Sequence, residues 1–215
     1  MKVGVIYTAK TDALEKRINQ SLCEKLGTKT EIVNYQDLTV LTETAGAGHI
    51  TRGAGARYAA LCLKAAQEGA DVVLSTCCVM GDAVQPLKPA MSFLGTPLVS
   101  IDEAFCRQAI KECDKVILLA TAGVAAFSVG HTFEGEERLL NKFVNRKTII
   151  AKNTSGLSGD VFAEKLLENI KNDLDDIDGI ILSQPSMAFA GDYIRKKTGK
   201  KVYTAIDDIA GDLKK

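Results

Sequence analysis

The chain repeats itself. Lys2-Val-Gly-Val-Ile-Tyr-Thr-Ala parallels Lys115-Val-Ile-Leu-Leu-Ala-Thr-Ala, and Val72-Val-Leu-Ser-Thr-Cys-Cys parallels Ile180-Ile-Leu-Ser-Gln-Pro-Ser. Val99-Ser-Ile-Asp-Glu-Ala parallels Tyr203-Thr-Ala-Ile-Asp-Asp-Ile-Ala. The pairs come in the same order, about 105–115 residues apart. One such pair means little, because βα units share composition; three in order argue for a duplicated unit of four strands.

Strands are expected at Lys2–Tyr7, Thr30–Asn34, Asp71–Ser75, Pro97–Ile101, Val116–Ala120, Thr148–Ala151, Ile180–Leu182 and Lys201–Thr204. Most are near-continuous apolar runs, as strands covered on both faces require. Helical patterns lie between them. Over Asp12–Leu26, Asp12 and Glu15 suit a capping box, and Leu14, Ile18, Leu22 and Leu26 form one face. Thr51–Gln67 is Ala-rich and ends at Gly69; Phe162, Leu166, Leu167 and Ile170 mark another helix. Pro86 and Pro89 predict a kink or a late start in the helix after Gly81. The alternation specifies an α/β fold with parallel sheets: two similar Rossmann-like lobes, each a parallel four-stranded sheet, related by a pseudo-twofold axis. The first lobe is placed at residues 1–102 and the second at 103–204, with a C-terminal helix over 205–215 packing back on the first.

Composition narrows the function. Lys plus Arg and Asp plus Glu number 27 each, so the net charge is zero. There is no basic field to attract a phosphate backbone, and nucleic acid is not an expected partner. The basic cluster Arg195-Lys196-Lys197 with Lys200-Lys201 reads as a solvated helix end and strand start. The opening apolar run ends at Tyr7, too short for a secretion signal, and no run approaches the ~18 apolar residues of a membrane span. A cytoplasmic location is the expectation. The six cysteines (23, 62, 77, 78, 106 and 113) form no CxxC pair, and His49 and His131 lie far apart, so no metal site is expected. Cys23, Cys62, Cys106 and Cys113 read as packing residues or helix surface, and the acidic run Asp173–Asp178 as a solvated turn.

Ligands of open α/β sheets bind beyond the carboxyl ends of the strands. Four such ends carry small polar residues: Thr8; Ser75, Thr76, Cys77 and Cys78; Thr121; and Ser183, Gln184, Pro185 and Ser186. Facing each other across a cleft between the lobes, these hydroxyls and the backbone N–H groups that follow suit a carboxylate. Cys77 sits between a strand end and the next helix, where a helix N-terminus lowers a thiol pKa below ~8.5. It is the candidate acid/base, with Cys78 as its buried support. The glycine-rich stretch Gly46–Gly55 has P-loop spacing at Gly48 and Gly53, but Ala54-Gly55 stand where Lys and Ser/Thr are needed. It reads as a flexible loop leading into the Thr51 helix, with His49 solvated. Asp102 and Asp207 are expected to cap helices.

These segments resemble a known group. Leu74-Ser-Thr-Cys-Cys-Val-Met-Gly resembles the Leu-x-Thr-Cys-Ser-Ser-x-Gly site segment found in part of the aspartate/glutamate/hydantoin racemase superfamily. Ile101-Asp102-Glu103 is similar to the Ile-Asp-Glu after the next strand, Ile181-Leu-Ser-Gln-Pro-Ser-Met-Ala to its Leu-Ala-Gln-Ala-Ser-Met-Ala, and Gly48-His-Ile-Thr to an upstream Gly-x-Ile-Thr. The resemblance spans nearly the whole chain. It implies a homodimer, no cofactor, and proton transfer at Cα by two cysteines on opposite faces of the substrate. Cys77 takes the first role, and the segments around Thr8, Thr121 and Ser186 bind substrate carboxylate. The pattern is broken in one place: no cysteine occurs after Cys113, and Gln184 or Ser186 stands where the second belongs.

The leading expectation is a cofactor-independent racemase, epimerase or isomerase of a small carboxylic acid or amino acid, with Cys77 as acid/base. Ser75, Thr76 and Cys78 are counted with Thr8, Thr121, Gln184 and Ser186 as substrate-binding residues. Two alternatives stay open: a single-thiol decarboxylase or lyase, and a non-catalytic small-carboxylate binding protein. A dinucleotide-binding protein is disfavoured because no glycine occurs in Tyr7-Thr-Ala-Lys-Thr-Asp.

Overall fold

The computed structural model of the chain describes residues 1–206 together with Ile209 and Leu213. Its elements alternate: β1 (Lys2–Tyr7), α1 (Asp12–Leu26), β2 (Glu31–Gln36), α2 (Leu38–Ala47), α3 (Arg52–Gln67), β3 (Val72–Ser75), α4 (Gly81–Phe93), β4 (Leu98–Ser100) and α5 (Ile101–Glu112). Then follow β5 (Lys115–Ala120), α6 (Gly123–Leu140), β6 (Asn145–Ile150), α7 (Gly159–Ile170), β7 (Gly179–Leu182), α8 (Gly191–Thr198) and β8 (Lys201–Thr204). The chain divides into two compact units, one built on Met1–Ala104 and the other beginning at Phe105. The segment expected to form a C-terminal helix, with Asp207 in it, lies outside the described residues beyond Ile206 except for Ile209 and Leu213.

Each unit holds one four-stranded parallel sheet. The orders are β2-β1-β3-β4 and β6-β5-β7-β8, the same path twice. In each sheet the first and third strands of the unit are central, and they are the apolar ones: β3 and β7 are buried at every residue. The outer strands β2 and β6 are more polar and half exposed. Helices press close on these sheets. At Gly4 of β1 an added Cβ would sit 2.8 Å from Ala65 Cβ of α3, and at Gly179 of β7 one would sit 2.9 Å from both Cys113 Sγ and a Tyr203 ring carbon. Cys113 therefore packs and shares a 3.2 Å hydrogen bond with Tyr203, as a structural thiol would. In the second unit Ile117, Leu119, Leu166, Ile180, Leu182 and Met187 form one continuous core. No helix among the described residues is long and apolar enough to cross a membrane.

Several local expectations are revised. The N-cap of α1 is Thr11, whose hydroxyl accepts from Leu14 N–H; Glu15, expected in a capping box, accepts from Lys10 Nζ instead. The stretch Gly46–Gly55 is mostly helix. Gly46 and Ala47 close α2, Gly48 is its left-handed C-cap, and Gly53 and Gly55 lie in α3. Thr51 caps α3, and Glu43 holds both the Thr51 hydroxyl and Arg57, which fastens the turn that glycine content alone would leave loose. The helix carrying Pro86 and Pro89 starts at Gly81 without delay. Both prolines are on its exposed side, where water can satisfy the carbonyls they leave unbonded.

Candidate active site

The exits of the three paired strands of the first unit are in register. Ile6 pairs with Ser75, and Ser75 with Ser100. Two residues beyond each lie Thr8, Cys77 and Asp102. The alignment persists past the strand ends for the first pair, since the Thr8 hydroxyl donates to Cys77 Sγ at 2.7 Å. Cys77 has extended backbone and precedes a 3-10 turn over Cys78–Met80. It is 7% exposed. Burial pushes its thiol up to about 11, against the opposing pull of the Thr8 hydroxyl and the Val79 N–H. The expected lowering by a helix N-terminus does not prevail: desolvation of the thiolate outweighs it. Near neutral pH Cys77 is therefore mostly a protonated thiol, and its thiolate depends on the Thr8 hydroxyl and the Val79 N–H.

The other candidates of this unit have structural partners. The Ser75 hydroxyl is fully buried and shares a 2.5 Å hydrogen bond with Tyr58. Thr76 ties the strand exit down, its hydroxyl donating to Ile6 C=O at 2.8 Å and its N–H to the same oxygen at 3.1 Å. Cys78 is buried and its thiol is raised, chiefly by desolvation and then by the charge of Asp102. Because the Thr8 hydroxyl stabilises the sulfur anion, Thr8→Val is expected to slow alkylation of Cys77 at pH 9 by about tenfold, the worth of one hydrogen bond to a charged group. Peptide mass spectrometry after iodoacetamide labelling measures it.

Asp102 is the residue whose role the sequence obscured. It is not the N-cap of α5 but lies inside its first turn, fully buried, with both carboxyl oxygens unbonded. Burial, and then the charge of Glu103, push it up to about 8. Glu103 is compensated by Lys88 and by Gln85 Nε2; beside Asp102 the Ser100 hydroxyl pulls the other way but makes no well-formed hydrogen bond.

In the second unit the strand register identifies the residue at the position equivalent to Cys77. Leu119 pairs with Leu182 as Ile6 pairs with Ser75, so Gln184 occupies the position of Cys77 and Thr121 that of Thr8. The hydrogen bond is reproduced too. The Thr121 hydroxyl and N–H donate to Gln184 Oε1 at 2.9 and 2.7 Å. The sequence repeat, aligned on its Leu-Ser pair, sets Pro185 opposite Cys77; the strand register shifts this by one. Thr121 and the exposed Ser186 line a cavity of about 540 Å³ with Thr154, Ser158, Phe162 and Phe189. None of the residues lining it is charged. Thr154, Ser155 and Ser158 went unnoticed in the sequence, although they follow the exit of β6, where the strand-end rule places ligands.

No protein-family model matches the chain, and no curated protein matches it in sequence. Solved structures do. A glutamate racemase isoform from Bacillus anthracis superposes with a TM-score of 0.75 at 14% identity, covering 99% of this chain and 79% of that one. Allantoin racemase from Klebsiella pneumoniae gives a TM-score of 0.67 at 15% identity, covering 100% and 86%. This is the racemase fold. It also extends to a mutant arylmalonate decarboxylase in its liganded form, with a TM-score of 0.60 at 13% identity over 98% and 92% of the two chains. On the racemase fold of this chain, the paired strand exits carry a hydroxyl and a thiol in one unit and a hydroxyl and an amide in the other.

Proposed function

We propose that the protein is a cofactor-independent enzyme of the racemase kind that moves a proton at the α-carbon of a small carboxylic acid, with Cys77 as the proton-transfer group. The observation that carries this is the buried Cys77 thiol at a strand exit, held by the Thr8 hydroxyl. The Cys77 thiolate takes the α-proton, so that C–H breaks, S–H forms and an enediolate is left; return of a proton from Cys77, or from solvent on the other face, re-forms C–H and restores the thiolate. The Thr8 hydroxyl and the Val79 and Met80 N–H groups favour that thiolate, offsetting part of its desolvation. Thr121, Gln184 and Ser186 are assigned to substrate binding. Thr121 fixes the Gln184 amide oxygen, which leaves its NH₂ to donate to a carboxylate or enediolate oxygen. Ser75, Thr76 and Cys78 act through Cys77 by holding the strand exit on which it sits. Within the second unit, the uncharged cavity that Thr121 and Ser186 line with Phe162 and Phe189 favours an apolar substituent over a second carboxylate; Cys77 is not among its lining residues.

One observation favours a second reading. Gln184 stands at the register position of Cys77, and an amide is no base. A single acid without a second base suits decarboxylation of a substituted malonate: the C–CO₂ bond breaks, CO₂ leaves, and Cys77 protonates the enediolate. A panel of chiral α-aryl and α-alkyl acids, amino acids and their malonate counterparts separates the readings by polarimetry and CO₂ release. Loss of optical activity without CO₂ is the expected result. Release of CO₂ with one enantiomer formed transfers the assignment to the decarboxylase reading. No conversion of any member that depends on Cys77 overturns both.

A further inference from the structure

Asp102 is an expensive residue with no structural return. A fully buried carboxyl costs free energy unless it is hydrogen-bonded; the neighbour that draws Asp102 down is the Ser100 hydroxyl, and it makes no well-formed hydrogen bond to either oxygen. Three in-register strand exits carry it in line with Thr8 and Cys77: Ile6, Ser75 and Ser100 are paired neighbours, and Thr8, Cys77 and Asp102 each lie two residues on. The Thr8–Cys77 hydrogen bond shows that the alignment of this pair survives beyond the strands, and Asp102 follows β4 directly in the first turn of α5. The titratable groups around Asp102 are Glu103 on its own helix, Cys77 and Cys78 beyond β3, and Tyr58 of α3. The cation of this region, Lys88, is taken by Glu103. Among the described residues of the second unit, strand register places Ile206 at the position of Asp102.

We infer that Asp102 is a positioning residue for the proposed reaction, governing the reactivity of the Cys77 sulfur. This rests on the reading of Cys77 as the proton-transfer group. When Cys77 gives its proton to carbon, the sulfur becomes an anion until solvent reprotonates it. A neutral Asp102 tolerates that anion, whereas an ionised Asp102 opposes it by like-charge repulsion in a low-dielectric site. Turnover should then fall as pH rises through the ionisation of Asp102, near 8, and the fall should be absent from Asp102→Asn.

The test is the rate of Cys77 alkylation by iodoacetamide in the full chain, read by peptide mass spectrometry for wild type and Asp102→Asn. At pH 6.5, where Asp102 is protonated, the two rates should agree. At pH 9 the variant should react faster by about tenfold, the effect of removing one nearby charge. A residue that merely filled space would change the rate at both pH values alike. Asp102→Ser, which also removes the charge, should show the same pH-dependent ratio and guards against a peculiarity of the amide. A ratio that stays constant from pH 6.5 to 9 in both variants overturns the inference, even if conversion of an acid still depends on Cys77. A ratio that rises as expected while no acid is converted leaves the coupling standing and defeats the proposed function instead.

Discussion

Cys77→Ala is expected to lower turnover by about 10³-fold, the usual contribution of a positioned proton-transfer group, while the fold persists. Cys77→Ser should lose nearly as much. A serine hydroxyl can still accept from Thr8, but its proton is held far more tightly than that of a thiol. Neither change opens a large cavity, so the stability cost should be about 1 kcal/mol. Activity and thermal unfolding of the purified variants separate loss of chemistry from loss of fold. The same experiment on Cys62 and Cys106, which are buried in α3 and α5, should leave activity within about twofold of wild type, since these thiols are at no strand exit.

Asp102→Asn should alter stability most where the wild-type carboxyl is forced to stay neutral or to ionise in the core. The sign follows from linkage. In the unfolded chain Asp102 ionises near its ordinary value, but in the folded chain it does so at about 8. Its contribution to stability is therefore fully present below the unfolded value, and it is lost as pH rises through the folded one. At about 1.4 kcal/mol per pH unit, the loss between pH 4 and pH 8 is on the order of 5 kcal/mol. Asparagine cannot ionise and escapes it, at the smaller cost of burying an amide. Urea unfolding at pH 5 and pH 9 should show the variant gaining several kcal/mol on wild type at the higher pH. Equal pH dependence in the two proteins would mean that Asp102 finds a partner in solution.

The sheets were legible because a strand covered on both faces has no room for polar residues. Every expected strand is present to within a few residues, and the doubled path β2-β1-β3-β4 and β6-β5-β7-β8 accounts for the sequence repeat. What was harder to read was set by partners distant in sequence. The helix α2 was missed because Leu-Thr-Val-Leu-Thr-Glu-Thr-Ala-Gly-Ala is rich in threonine and carries a glycine near its end, and the bond that secures the following turn comes from Glu43. Asp102 looked like a helix cap because it follows a strand. Its complete burial is a property of the folded unit that no local pattern announces. The likeness of the two halves pointed to Thr121 and to the Gln184 segment, but only strand register shows that the amide itself takes the place of the thiol. The ionisation of Cys77 was expected in the wrong direction, since motif position conveys the dipole of a following turn but not how completely the sulfur is desolvated.

The central claim, that Cys77 transfers a proton at the α-carbon of a carboxylic acid, is tested most directly by proton NMR of an α-substituted acid in D₂O with wild type and Cys77→Ala side by side. The prediction is that the α-proton signal decays as deuterium replaces it with wild type, and persists with the variant. Equal decay with both proteins would contradict the claim, because exchange would then proceed without the thiol.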